Sequence, residues 1–358
     1  MAISWAGKSL MDLDTGGAAE RVAWADIAKA FSIILLVIWS MYGLSVYIDQ
    51  MLILARMPMF FFVSGLFAHR VITRSEPLGF FRDKVGNLLY LYAIWAIFWY
   101  LSTEVVAYLW WGRPIEAEIS TMVWDPIVEM WFFYGLAIAF AVAFLCRRLP
   151  VWAVFAVSML AYLVVVARGD WLAIPFIEKV IRLFPYFWLG LVLRPIVWRT
   201  VDAHWRLWPL FAAAFLGLSY WLMDSPWQRF GPLTFAVTAI GIAALLGLAA
   251  RTARFDWAWI LKLVGGSTLY IYATQHITIF YLERVFGMIG PLPFEKLIMV
   301  PIVLVVGTLF GRWCARREGF RLLFSAPWAP YKPPSAISRP APASAAGARA
   351  AGAKRREA

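Results

Sequence analysis

The sequence predicts an all-α protein: a polytopic transmembrane helical bundle of about ten spans with both termini cytoplasmic. Three observations carry this reading. Of 358 residues, 63% are hydrophobic and only 15% charged, where soluble domains hold roughly 45–50% and about 25%. The apolar runs are continuous and near the ~20 residues that a helix needs to cross a bilayer, without the two-residue alternation of a barrel strand. Basic residues crowd alternate loops, as the positive-inside rule requires. With a mean hydropathy of +0.72, the chain is neither a soluble globular protein nor a disordered or fibrous one. The net charge of +12 belongs to the loops. Nucleic acid is excluded as a partner because no basic soluble face is predicted, and the lipid bilayer takes its place. Cys146 and Cys314 each fall where a span meets a basic loop, so no disulfide is expected.

Residues 1–21 form a charged cytoplasmic segment without an apolar core, so the first span is expected to act as the insertion signal and to stay. Spans are predicted at 26–47, 51–70, 87–110, 127–146, 150–167, 177–195, 207–223, 231–250, 264–286 and 297–315. The loops justify them in order. Arg70, Arg74, Arg82 and Lys84 follow the second span, and Arg147 and Arg148 follow the fourth. Arg194, Arg199 and Arg206 follow the sixth, and Arg251, Arg254 and Lys262 the eighth. The opposite loops hold Arg113, Arg168, Lys179, Arg182, Arg229, Arg284 and Lys296, so the count is twelve against seven. The membrane domain is predicted over 22–328. From Lys332 the composition turns to Pro, Ala and Ser, and 329–358 is expected to be a disordered basic tail.

Ionisable groups at bilayer depth are costly and mark candidate functional positions. In the first span Lys29 and Ser40 lie eleven residues apart, hence on one face and roughly 16 Å apart in depth. Lys29 is either a snorkelling residue paired with Asp26 or a functional cation. Ser40 is either a packing residue bonded to its own backbone or part of a site. In the second span Pro58 is expected early in the helix, and Ser64 and Gly65 favour close helix packing. No acidic neighbour precedes Arg56. His276, beside Gln275, is central in the ninth span and is either a neutral bridge or a proton-handling group. His69 and His204 lie at cytoplasmic edges. There is no phosphate-binding G-x-x-x-x-G-K-[ST] loop and no H-E-x-x-H. Histidines and cysteines are too scattered for zinc, so no metal is expected.

These segments, in order, resemble acyltransferase family 3, bacterial inner-membrane acyltransferases that mostly O-acetylate sugars and glycans. The resemblance rests on W-A-D-I-A-K-A-F-S-I-I-L-L-V-I in the first span and R-M-P-M-F-F-F-V-S-G (56–65). It continues through E-M-W-F-F-Y-G-L (129–136), F-P-Y-F-W-L-G (184–190) and S-T-L-Y-I-Y (267–272). Arg317 to Pro327 (REGFRLLFSAP) is similar to one subgroup. The resemblance implies transfer of an acetyl group from cytoplasmic acetyl-CoA, the acyl donor, to a hydroxyl of a saccharide or glycolipid acceptor on the outer side.

Lys29 matches the family's basic position in the first helix, whereas Ser40 stands where the family has histidine. The Arg-x-x-Arg often found after the second helix is here Lys84 and Asn87. The histidine usual three residues after the tyrosine matching Tyr272 is Gln275, with His276 shifted by one. On this resemblance Lys29 and Arg56 orient substrate or polarise the thioester. His276 or Glu129 replaces the missing base, and Trp131 stacks on a sugar face. Ser40 is a nucleophile only if another base activates it. The alternative is a catalytically silent member acting as a binding or transport protein.

The loop charges generate a direct test. A reporter active only in the periplasm should give no signal when fused at Pro327 and should give signal near Gly112; the reverse pattern overturns the orientation.

Overall fold

The computed structural model describes residues 7–13, 23–42, 46–112, 114, 126, 130–168, 172, 174–223, 225–290 and 295–330. The predicted basic tail lies almost wholly outside them, as does Glu129. Within them every long element is a helix. The order is α1 (Ala23–Tyr42), α2 (Val46–Arg74), α3 (Pro77–Phe80), α4 (Gly86–Trp99), α5 (Val106–Trp111), α6 (Trp131–Leu145), α7 (Val151–Arg168), α8 (Pro175–His204), α9 (Trp208–Met223), α10 (Gly231–Thr252), α11 (Trp259–Gly265), α12 (Thr268–Ile289) and α13 (Glu295–Arg316). Two π-helical turns, Phe81–Val85 and Tyr100–Val105, join α3, α4 and α5 into one stretch from Pro77 to Trp111.

All ten predicted spans are present as helices. Among the described residues eight helical stretches are long and apolar enough to cross a membrane. The longest of them, Pro175–Met223, is α8 and α9 joined through the turn at Trp205–Leu207. The ninth predicted span, α12, is not among the eight; its run includes Thr274, Gln275, His276 and Thr278, which lower its hydropathy.

Two helices outrun their predicted ends. α2 has 29 residues and α8 has 30, about 44 Å each against a hydrocarbon core of ~30 Å. Charged residues at their ends read as loop but prolong the helix into the aqueous zone. α2 stops where Glu76 turns extended before Pro77, a conformation the following proline enforces. Because α2 starts at Val46, Pro58 is interior rather than early, and its missing N–H leaves the Leu54 carbonyl without its helical donor. The short α11 was not predicted; at seven residues it is too brief for a hydropathy signal.

Glycine sets the closest crossing. A Cβ on Gly65 of α2 would overlap the Phe187 carbonyl, and one on Gly190 of α8 would overlap the Phe62 carbonyl. The two backbones therefore touch reciprocally, the small-residue packing expected of Gly65. α12 and α13 repeat the device: a Cβ on Gly307 would come 2.8 Å from Ile271 Cα, and Gly311 lies against Tyr270.

The cross-element contacts respect the two loop sets. On the arginine-rich face, Val151 N donates to Lys8 O at 2.9 Å and Arg254 donates to Asp202 O at 3.3 Å. On the opposite face, Tyr281 donates to Ser102 O at 2.8 Å and Arg284 lies 5.0 Å from the Trp111 ring. Residues 7–13 and 317–330 both belong to the arginine-rich face.

Gly65→Leu or Gly190→Leu should abolish a monodisperse detergent-solubilised species, because a backbone carbonyl cannot move aside as a side chain does. Gly217→Ala, where nothing lies within 4 Å, should raise or preserve the melting temperature, since alanine costs less in a helix by roughly 1 kcal/mol. Melting followed by size-exclusion fluorescence checks both.

Candidate functional site

Arg56 and Lys29 lie toward opposite ends of α1. Arg56 is only 2% exposed. It precedes Arg74 by 18 residues, which places it about 27 Å along α2 from the arginine-rich face. Its guanidinium lies 4.6 Å from the centroid of Trp39 on α1. A guanidinium is weakly hydrated and stacks on aromatic faces, and when desolvated such a contact is worth roughly 2 kcal/mol or more. The flanking Ala55 packs with Phe215 and Val237, which fixes the turn that carries Arg56.

At the other end, Lys29 Nζ meets Asp26 Oδ1 at 2.7 Å, with the lysine side chain 26% exposed and the aspartate 8%. The ammonium also sits 5.1 Å from the Phe67 ring of α2. Gly265, at the end of α11, lies directly against the Asp26 backbone, so α11 props the first turn of α1. Lys29 is therefore a paired cation near the arginine-rich face, as the spacing from Asp26 suggested.

Ser40 is next to Trp39, but its hydroxyl donates to Leu36 O at 3.0 Å. That bond returns the side chain to its own helix, a packing role. On α12 Gln275 is fully buried while His276 is partly exposed. Neighbouring positions on a helix differ by about 100°, so glutamine takes the interior direction and histidine the flank. Gln275 Nε2 and His276 Nε2 are 3.1 Å apart. Gln275 Oε1 is buried, with no hydrogen-bond partner among the described residues. No hydrogen bond between described residues joins His276 to Lys29 or Ser40.

Trp131 is 8% exposed, and Lys179 Nζ sits 5.5 Å from its ring centroid. Its face is already engaged, so a sugar would have to displace that ammonium. Beside it stands a carboxylate that the sequence reading left among loop charges. Glu178 is 3% exposed; its Oε1 accepts from Leu172 N at 2.8 Å and its Oε2 lies 3.7 Å from Arg182. The i,i+4 spacing of Glu178 and Arg182 was the signal that could have found it.

A family model described as an acyltransferase domain matches residues 22–316. The chain belongs to acyltransferase family 3. No curated protein and no solved structure matches it.

Within this acyltransferase the family-like motifs converge on one aromatic core. Phe60 and Phe61 pack on Phe132 with centroids 5.4 and 5.6 Å apart. Tyr272 packs on Phe132 and Phe133 at 5.1 and 4.9 Å and its hydroxyl accepts from Phe132 N at 3.3 Å. Phe187 and Trp188 of the 184–190 motif are fully buried. These residues hold α2, α6, α8 and α12 together rather than line a reaction centre.

The position that departs from Arg-x-x-Arg has a different occupation. Asn87 Oδ1 accepts from Ala326 N at 2.8 Å, Trp95 donates to Leu323 O at 2.7 Å and Trp328 donates to Arg82 O at 3.0 Å. The segment after α13 is thus strapped across the start of α4.

Ser40→Ala should leave the melting temperature of the solubilised protein unchanged, within the ±0.5 kcal/mol of a neutral substitution. Trp39→Ala should lower stability by roughly 2 kcal/mol or more, since it uncovers a buried guanidinium. Parallel thermal melts check both.

Proposed function

We propose that this protein moves an acyl group, most simply acetyl, from acyl-CoA at the cytoplasmic face to a hydroxyl of a saccharide or cell-envelope glycan on the far side of a bacterial inner membrane. The observation that carries the reading is the buried Arg56 guanidinium, stacked on Trp39 at one end of α1 while the Lys29–Asp26 pair occupies the other. Cations at the two ends of one helix suit a reaction whose donor and acceptor come from opposite sides. The arginine-rich face suits the phosphates of an acyl-CoA.

In the transfer the acceptor hydroxyl oxygen attacks the thioester carbonyl. A C–O bond forms, the C–S bond breaks, and the hydroxyl proton passes through a base to the departing CoA thiolate. Arg56 is assigned to the developing oxyanion or to the acceptor, where a fixed cation in a dry site is most effective. Lys29 is assigned to the donor. The base is His276 or Glu129. Trp131 contributes at the sugar side once Lys179 moves.

A second reading has an observation of its own. Ser40 stands where the family has histidine and spends its hydroxyl on Leu36, which suits a silent member that binds or transports a ligand with the same fold.

Turnover of acetyl-CoA by purified protein in liposomes, with mass spectrometry of envelope glycans from cells with and without the gene, separates the two. On the enzymatic reading the glycan modification is lost with the gene. His276→Ala costs about 10²–10⁴ in rate, Arg56→Lys is inactive though inserted, and Ser40→Ala is nearly neutral. Wild-type turnover in His276→Ala sinks the assignment of the base to His276. No turnover by the wild-type protein and no glycan difference favour the silent reading.

A further inference from the structure

The bundle contains an apolar groove of about 460 Å³ between α8, α9 and α10. Its floor is a stripe of α8, from Tyr186 through Leu189, Leu193 and Val197 to His204. These positions recur every three or four residues, so they share one helix face. From Tyr186 to His204 the stripe runs about 27 Å, enough to hold one acyl chain of a leaflet whose hydrocarbon half is about 15 Å thick. Ala243 and Gly247 of α10 form a wall. The small Ala243 side chain leaves space that a larger one would fill, whereas Gly247 lets Trp208 pack directly on α10.

The turn between His204 and Leu207, both of which line the groove, is strongly cationic and marks its mouth. Trp205, in the turn between α8 and α9, has three guanidiniums around it: Arg206 at 5.6 Å, Arg251 at 5.1 Å and Arg254 at 4.9 Å from the ring centroid. They come from two separate turns of the chain. Arg251 complements the carboxyl end of α10, but that does not account for Arg206. Arg199 is exposed on the last turns of α8. The acidic residues of the two turns are Asp202 and Asp256; Arg254 reaches the backbone carbonyl of Asp202 at 3.3 Å. Three cations all within 5.6 Å of one ring lie about a Debye length or less from one another. Their mutual repulsion falls when an anion joins them.

We propose that this groove is a binding site for one anionic glycerophospholipid, its acyl chain along the α8 stripe and its phosphate among Arg206, Arg251 and Arg254. Charge complementarity selects the occupant: an apolar slot alone takes any chain, and the cationic mouth favours a headgroup with net negative charge. Each arginine near such a headgroup adds roughly fivefold in affinity. The inference rests on the α8 stripe and the arginines around Trp205 and does not depend on the proposed chemistry.

Native mass spectrometry of delipidated full-length protein in detergent tests it. The probes are phosphatidylglycerol, phosphatidylcholine with the same chains, and chain-free glycerophosphoglycerol. One phosphatidylglycerol should be retained at least tenfold better than phosphatidylcholine, and the chain-free compound not at all. Arg251→Gln with Arg254→Gln should cut retention by an order of magnitude or more. Ala243→Phe should block the slot while the size-exclusion profile stays that of the wild type. Equal retention of phosphatidylcholine, retention of glycerophosphoglycerol, or unchanged retention in both the arginine pair and the folded Ala243→Phe variant overturns the proposal. Should Ala243→Phe not fold, the arginine pair decides it alone.

Discussion

The arrangement depends on backbone touching backbone. A bilayer gives apolar side chains little reason to leave lipid for protein, so helices associate through close van der Waals packing. Gly65 and Gly190 let α2 and α8 approach until each helix rests on a carbonyl of the other. From that crossing follow the position of Phe62, Phe187 and Trp188 in the core, and the turn of α2 that carries Arg56. The same crossing places α10 against α2 through Gly241, whose Cβ would come 3.2 Å from that of Ala55. Arg56 is thus held from two directions before any substrate is considered.

Much of this was legible in the sequence because a membrane simplifies the code. Long apolar runs can only be helices, and each predicted span is helical where the structure describes it, with eight stretches long and apolar enough to cross a membrane. What was misjudged followed from using charge as punctuation. α2 and α8 continue as helix through Arg70, Arg74, Arg194 and Arg199 because water tolerates a charged helix as well as a charged loop. The interior place of Pro58 had the same cause, since an earlier start moves every later residue inward. Glu178 escaped notice because one sequence cannot show that a carboxylate in the first turn of α8 accepts from Leu172 in the preceding loop.

The candidate site was less legible, for a reason built into helices. Periodicity says which residues share a face of one helix, as with Lys29 and Ser40, but not which face of another helix looks back. Trp39, one residue before Ser40, is the aromatic partner of Arg56. Trp131 was read as an open platform, and only the packing of α8 against α6 shows Lys179 over its ring. Gln275 and His276 differ by one residue, and the rotation that this implies explains why the first is buried and the second is not.

The departures from the family pattern share a physical outcome. Ser40, in the place of histidine, bonds Leu36. Asn87, in the place of the second arginine, bonds Ala326 in the segment after α13. In both cases a side chain that could meet a substrate is spent on the chain itself. Lys29 pairs with Asp26 near one end of α1, and Arg56 of α2 stacks on Trp39 near the other. Fixed charge can stabilise a transition state without exchanging a proton, whereas a base must reach the proton it removes. On the proposed enzymatic reading, the group that moves the proton is the part this chain supplies differently. That requirement directs attention to α12, where a histidine is present but turned by one residue, and where Gln275 carries a buried carbonyl oxygen with no hydrogen-bond partner among the described residues.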